Sequence, residues 1–348
     1  MILAGSFWST AVLRVGDRTY AWRDVVLFAM AAGEWPTFEA RLRQGLACVA
    51  EADRLDEWPE AGALDEAATA FRYERDLLTS EETEAWLARE GLTIDSWSDA
   101  LMRDVLRAQW QPRLAELDPG TLDPAALDEA ALIAEGVCSG TFARWASMLG
   151  ARAALAATVD APAPASAEVD ALWTASAPWL AGLDGARATL QHLMSVVAAD
   201  RTAVAAALTP EALEAHVERS RLDWVRVDVE CLTLPTEEAA REAVWCVRED
   251  GLSLSEVAIE SRQPIVDRRA VLDALPAPLR DVVLSASPGD TVGPVPLPEG
   301  PTLVHVVAKA PATLEDPLVR ARAEASVVDT ARDRALVSHV QWLVSRPV

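Results

Sequence analysis

The chain has 348 residues, 51% of them hydrophobic, with a net charge of −23. That length and apolar content suit two or three globular domains with sizeable cores and exclude a disordered chain. The charge argues against nucleic acid and anionic membrane surfaces and permits a basic partner, but solubility explains it more simply.

Met1–Leu13 is largely apolar but lacks the positive region and cleavage site of a secretory signal. No apolar run approaches the roughly 20 residues of a membrane helix, so a cytoplasmic setting is expected. Val12–Tyr20 predicts a β-hairpin turning at Gly16-Asp17. Helices are predicted from Trp22 toward Ala32, over Thr37–Ala52, and over Ser80–Glu90, where Thr79 and Glu82 form a capping box and Gly91 ends the run. Another opens at Asp95 or Ser96 and closes at Pro112, with Trp97, Leu101, Val105 and Leu106 on one stripe. Ala125–Cys138, started by Pro124, and Thr141–Ala157 follow. Asp160–Ser166, rich in Ala and Pro, reads as a linker. Helices resume over Ala167–Trp179, Gly185–Ala206 and Pro210–Ser220.

The pattern then changes. Trp224–Cys231 alternates apolar and polar, the period of a half-buried strand. Thr236 caps a helix with an Ala240, Ala243, Val244, Val247 face, ended by Gly251. Ser253 and Glu256 cap a short helix to Glu260, and Pro278 opens Leu279–Ser285. Strands are expected near Thr291–Val295 and Leu303–Lys309, and Leu314–Trp342 has helical spacing.

Leu275-Pro276-Ala277-Pro278-Leu279-Arg280-Asp281-Val282-Val283, then Pro288-Gly289-Asp290, Val292-Gly293-Pro294-Val295, Gly300 and Leu303-Val304 together resemble the parvulin (PpiC-type) family of peptidyl-prolyl isomerases. Glu237–Asp250 and Leu254-Ser255-Glu256-Val257-Ala258 look like its long helix and the segment after it. The order of a helical region, this α/β segment and a terminal helix is similar to SurA-type chaperones. Phe71–Trp97 and Ala239–Gly251 are similar to parvulin-related proteins encoded beside ribosomally made, modified peptides.

The resemblance implies an α+β fold in three parts. A mostly helical SurA-like domain with the opening hairpin spans 1–222, a parvulin-like domain spans 223–311, and a C-terminal helix in 312–348 packs back on the helical domain. The family carries a His on its first strand and another on its last; those positions here hold Glu230 and Thr302. It also grips the proline ring with Phe and Met, yet 224–310 contains no Phe, Met or Tyr. Isomerisation must lower a barrier of about 18–20 kcal/mol by favouring the twisted amide. With neither clamp nor polar cluster in place, the expectation is a non-catalytic peptide-binding chaperone or adaptor serving maturation of a ribosomally made peptide. The alternatives are a divergent isomerase using Glu230, Cys231 or His305, and a structural subunit of a modifying-enzyme complex. Expected partners are a peptide or unfolded segment, such as a precursor peptide or its modifying enzyme.

Thirteen tryptophans, ten of them before residue 180, supply core and the makings of an aromatic groove. Trp35 and Trp58, each before a proline, and Trp224, opening the first strand, join Glu230 and His305 as peptide-binding candidates. His192, His216, His305 and His339 are far apart and Cys48, Cys138, Cys231 and Cys246 show no paired spacing, so neither metal nor cofactor is expected. Gly136-Val137-Cys138-Ser139-Gly140 matches a nucleophile elbow in letters, but it follows a helical pattern; a C-cap at Gly136 and an N-cap at Ser139 explain it.

Overall fold

A computed structural model describes residues 5–116, 127–160, 163–180 and 183–344. Among these the protein is α+β and mostly helical, with two small antiparallel sheets. No helix among them is long and apolar enough to cross a membrane. The chain divides into two compact units, Met1–Val204 with Arg332–Val348, and Ala205–Ala331.

The first unit begins with a short helix α1 (Ser6–Ser9) and the hairpin β1 (Ala11–Val15) and β2 (Arg18–Ala21). α2 (Trp22–Ala32) follows; Val25 through Ala29 are wholly buried, so it is the central helix of this unit. The unit also holds α3 (Trp35–Leu55), α4 (Ala63–Glu74), α5 (Ser80–Glu90), α6 (Ile94–Gln109), α7 (Glu129–Cys138), α8 (Thr141–Ala156), α9 (Ser166–Leu180) and α10 (Ala186–Ala207), whose last residues belong to the second unit; α3, α8 and α9 lie against α2. The caps act locally: Thr79 accepts from the Glu82 amide and Thr93 from the Ser96 amide. Pro124 and part of the predicted linker, Ala161 and Pro162, lie outside the described residues.

Two expectations change here. α7 runs through Gly136 to Cys138, and the next helix is capped by Gly140 rather than Ser139. The reason is packing: a Cβ on Gly136 would lie 2.3 Å from the Phe142 ring, so the bare backbone is the ring's seat. The predicted terminal helix stops at His339, and Val340–Trp342 forms a strand, β7, antiparallel to β1. The β2-β1-β7 sheet is completed by residues distant in sequence, which no local pattern announces.

One feature inside this unit is polar. Glu135 on α7, 2% exposed, accepts from Arg41 Nε at 2.9 Å, Arg107 Nη2 at 2.9 Å and Arg103 Nε at 3.0 Å. Burying a carboxylate is tolerable only when it is paired and hydrogen-bonded. Gly45 on α3 makes room for this knot, since a Cβ there would meet Arg107 Nη1 at 2.1 Å.

The second unit holds α11 (Pro210–Arg219), β3 (Arg226–Thr233), α12 (Glu237–Arg248), α13 (Leu254–Ser261), β4 (Ile265–Val271), α14 (Ala277–Ser285), β5 (Thr291–Leu297), β6 (Gly300–Ala310) and the first part of α15 (Pro317–His339). Its sheet is antiparallel in the order β4-β3-β6-β5. β4 is absent from the sequence expectations, because an edge strand bearing Asp267, Arg268 and Arg269 shows little apolar alternation. Val227, Val229 and Cys231 pack with Leu279 and Val283 of α14 on one face, and Leu232 and Leu303 pack under α12 and α13 on the other. Leu213 and Val217 of α11 and Val319 and Ala323 of α15 close around Trp224 and Val271, so this unit extends to both sides of 223–311.

The glycines in the resembling motifs have physical causes. Gly293 has φ +129°, and a Cβ there would approach the Thr302 carbonyl oxygen to 2.8 Å; Gly300, at φ +131°, would meet the Leu234 carbonyl at 3.1 Å.

Candidate functional site

Glu230 lies on β3 paired with His305 on β6 and with Asp267 on β4, and His305 pairs in turn with Thr291 on β5. Residues directly opposite on neighbouring strands share a face. Asp267, Glu230, His305 and Thr291 therefore form one polar row across all four strands. His305 Nδ1 lies 3.1 Å from Thr291 Oγ1. On one side of the row is the apolar line of Ile265, Leu232 and Leu303. On the other is an ion cluster: Arg226 contacts Asp228 at 2.7 Å and Asp316 at 3.1 Å, and Arg269 reaches Asp228 at 3.5 Å.

Thr302 is elsewhere. It pairs with Thr233, is fully buried, and its hydroxyl hydrogen-bonds to Thr233 Oγ1 at 2.9 Å. Three residues along a strand reverse the side-chain direction, so Thr302 and His305 occupy opposite faces. Cys231 is likewise on the face opposite Glu230, with its thiol pushed up by burial despite Arg268 nearby. The Glu230 and Thr302 pair is not a facing pair; His305 is the residue Glu230 meets.

The tryptophans also sort differently from expectation. Trp35 is 5% exposed, packs in the core with its ring tilted against Phe38 and Trp145, and donates to Glu39 Oε2 at 2.9 Å. Trp224 is 4% exposed and donates to Asp273 Oδ2 at 3.1 Å. Both are packing residues, because each fills a hydrophobic cluster at an element boundary rather than standing clear of it. Trp58, at 43% exposure, remains accessible and walls a cavity of about 370 Å³ with Leu46, Val49, Leu64 and Met102. Trp245, 68% exposed on α12, stands off the helix's packed apolar face of Ala240, Ala243, Val244 and Val247 and is an accessible aromatic that the sequence pattern does not single out.

A larger concavity lies in the first unit, about 1190 Å³, with Phe7, Trp22, Trp86, Phe142, Ile133 and Val137 among its walls. Phe7 stacks on Trp22 with centroids 5.7 Å apart and planes 2° from parallel, and Gly91 admits the Phe7 ring, 3.0 Å from where a Cβ would stand. Arg75 fixes one side. Its guanidinium lies 3.7 Å over the Phe71 ring and donates to the Cys138 carbonyl at 2.8 Å, joining the end of α4 to the end of α7. The aromatic residues that build this groove come from α1, α2, α5 and α8 and are brought together only by folding, so it does not lie at Trp35 or Trp224.

Chemistry at Cys138 is disfavoured by its surroundings. Burial pushes its thiol up to about 12, outweighing Arg75 and Arg103, so the nucleophilic thiolate is suppressed. Among the described residues no three His, Cys, Asp or Glu side chains are placed to hold a metal ion.

No family model matches the sequence, and no curated protein matches it. Among solved structures, PrsA from Bacillus subtilis aligns with 60% of this chain and 86% of its own, at 12% identity and a TM-score of 0.22. An overlap that loose decides neither relationship nor activity.

Proposed function

We propose that this protein holds peptide or unfolded segments without acting chemically on them, as a chaperone or adaptor. The observation that carries the reading is the aromatic groove of the first unit. A concave wall that offers apolar and polar surface in about equal measure suits a chain segment that anchors through its side chains and hydrogen-bonds along its backbone. The 223–311 segment fits the same reading as a parvulin-like module whose ring-gripping residues are missing. The narrower setting, maturation of a ribosomally made peptide, rests on the similarity of Phe71–Trp97 and Ala239–Gly251 alone.

A direct test titrates a labelled unfolded polypeptide into the full chain and follows anisotropy. Phe7→Ala removes a groove wall while Trp22 beneath it stays packed. Binding that weakens several-fold in this variant, with unchanged circular dichroism, supports the reading. Absence of binding, or binding indifferent to Phe7, sinks it.

A second reading, divergent prolyl isomerase, is favoured by the polar row of Asp267, Glu230, His305 and Thr291. A cross-strand carboxylate and imidazole can handle protons. What the reading lacks is an apolar clamp to favour the twisted amide, and it ranks second for that reason.

A further inference from the structure

The aromatic groove and the Trp58 cavity flank the first turn of α7, and Ala130 lies in the walls of both. Their charges are unequal. The groove walls include Glu74, Asp76, Glu90 and Glu129 against Arg75 and Arg89; the cavity walls include Asp99 and Asp128 against Arg103. The three arginines are already engaged. Arg75 is held by the Cys138 carbonyl and the Phe71 ring and also reaches Glu74 at 3.6 Å, Arg89 contacts Glu90 at 3.1 Å, and Arg103 contacts Glu135 at 3.0 Å. Asp76, Asp99, Asp128 and Glu129 make no ion pair among the described residues. Asp128 Oδ1 caps α7 by accepting from the Ala131 amide at 2.7 Å, and Glu129 sits in the same first turn. The positive end of a helix is equivalent to about half a charge, so these two carboxylates exceed what the helix start can offset. Asp76 is held in the left-handed region at φ +54° as the chain leaves α4, which fixes the backbone that presents its side chain beside the groove.

We propose that the two cavities form one track for a cationic, hydrophobic peptide segment: apolar side chains enter over Phe7 and Trp58, and Lys or Arg side chains meet Asp76, Glu129, Asp99 and Asp128. This deepens the peptide-binding reading and rests on it. Charge complementarity selects the occupant. An acidic segment would meet four carboxylates, with Arg75, Arg89 and Arg103 already engaged, whereas a basic one lays its aliphatic stem on the apolar walls and its charge at the rim.

The test uses the full chain and three rhodamine-labelled peptides of identical Phe and Leu content, with Lys, Gln or Glu at the intervening positions. The Lys peptide binds more tightly than the Gln peptide by about three- to tenfold at low salt, the range expected for a few half-exposed ion pairs, and the gap closes as salt rises. The Glu peptide binds weakest. Asp76→Asn with Glu129→Gln, and separately Asp99→Asn with Asp128→Asn, bring the Lys peptide toward the Gln peptide and leave the Gln peptide unchanged. Asn preserves both the left-handed turn at 76 and the cap at 128. Glu238→Gln with Glu242→Gln on α12 is the control for overall charge and has no effect. Equal affinity for all three peptides, or an equal loss in the α12 control, overturns the proposal and leaves peptide binding standing. No binding of any peptide overturns both.

Discussion

Glu230 on β3 and His305 on β6 stand directly opposite each other in the sheet, and Thr291 on β5 is hydrogen-bonded to the imidazole Nδ1. The pair is polar and half-buried, and no Phe, Met or Tyr occurs in 224–310 to grip a prolyl ring beside it. Proton handling without an apolar clamp gives no differential hold on a twisted amide. The full chain is therefore expected to leave the cis/trans relaxation of an X–Pro peptide at its uncatalysed rate. An acceleration that disappears in both Glu230→Ala and His305→Ala would reverse the ranking of the two functional readings.

Glu135 is the keystone of the buried charge cluster. Glu135→Ala strands the nearly inaccessible Arg103 without its carboxylate and leaves the buried Arg107 only the Asp104 carboxylate. Breaking a buried pair from one side typically costs about 3–5 kcal/mol. A fall of that size in unfolding free energy by urea titration is expected. A cost below about 1 kcal/mol, the scale of a surface pair, would mean the cluster is solvated.

Gly136→Ala sets two effects against each other. Alanine gains about 1 kcal/mol of helix propensity over glycine. The added methyl would stand 2.3 Å from the Phe142 ring, which is itself boxed in by Trp8, Trp22, Phe38 and Trp145. Overpacking of this kind costs about 1–3 kcal/mol, so the net change is destabilising. The thermal midpoint is expected to fall; an unchanged midpoint would mean that the buried ring gives way to the methyl.

His192 makes stability pH-dependent. Burial pushes its imidazole down from 6.5 to about 4, and Arg18 acts in the same direction; Nε2 sits 3.1 Å from the Tyr20 hydroxyl. With the folded value depressed, the unfolded chain takes up the proton first as pH falls. The contribution is present above about 6.5 and is lost on descent toward about 4. His192→Gln abolishes that titration. The stability difference between the wild type and His192→Gln is expected to shrink from pH 7 to pH 4 in urea titrations; a constant difference would refute the shift.

Much of the architecture was legible because its causes are local. The capping boxes at Thr79 and Ser253, the turn at Gly16-Asp17 and the alternation of Trp224–Cys231 each act within a few residues, and the elements start where those signals lie. Helical spacing separated the Cys138 stretch from a nucleophile elbow for the same reason. β4 and β7 were not legible, since an edge strand of charged residues and a three-residue strand owe their form to partners far along the chain.

The sequence by itself determined which residues are available: no ring clamp in 224–310, an acidic excess, and a wealth of tryptophan. Only the tertiary structure decided which of them face one another. It put Trp35 and Trp224 into cores, set His305 rather than Thr302 against Glu230, and gathered Phe7, Trp22, Trp86 and Phe142 from four helices around one groove. Periodicity and capping are short-range and can be read from neighbours, whereas burial and cross-strand facing depend on register and packing between segments that no local pattern couples.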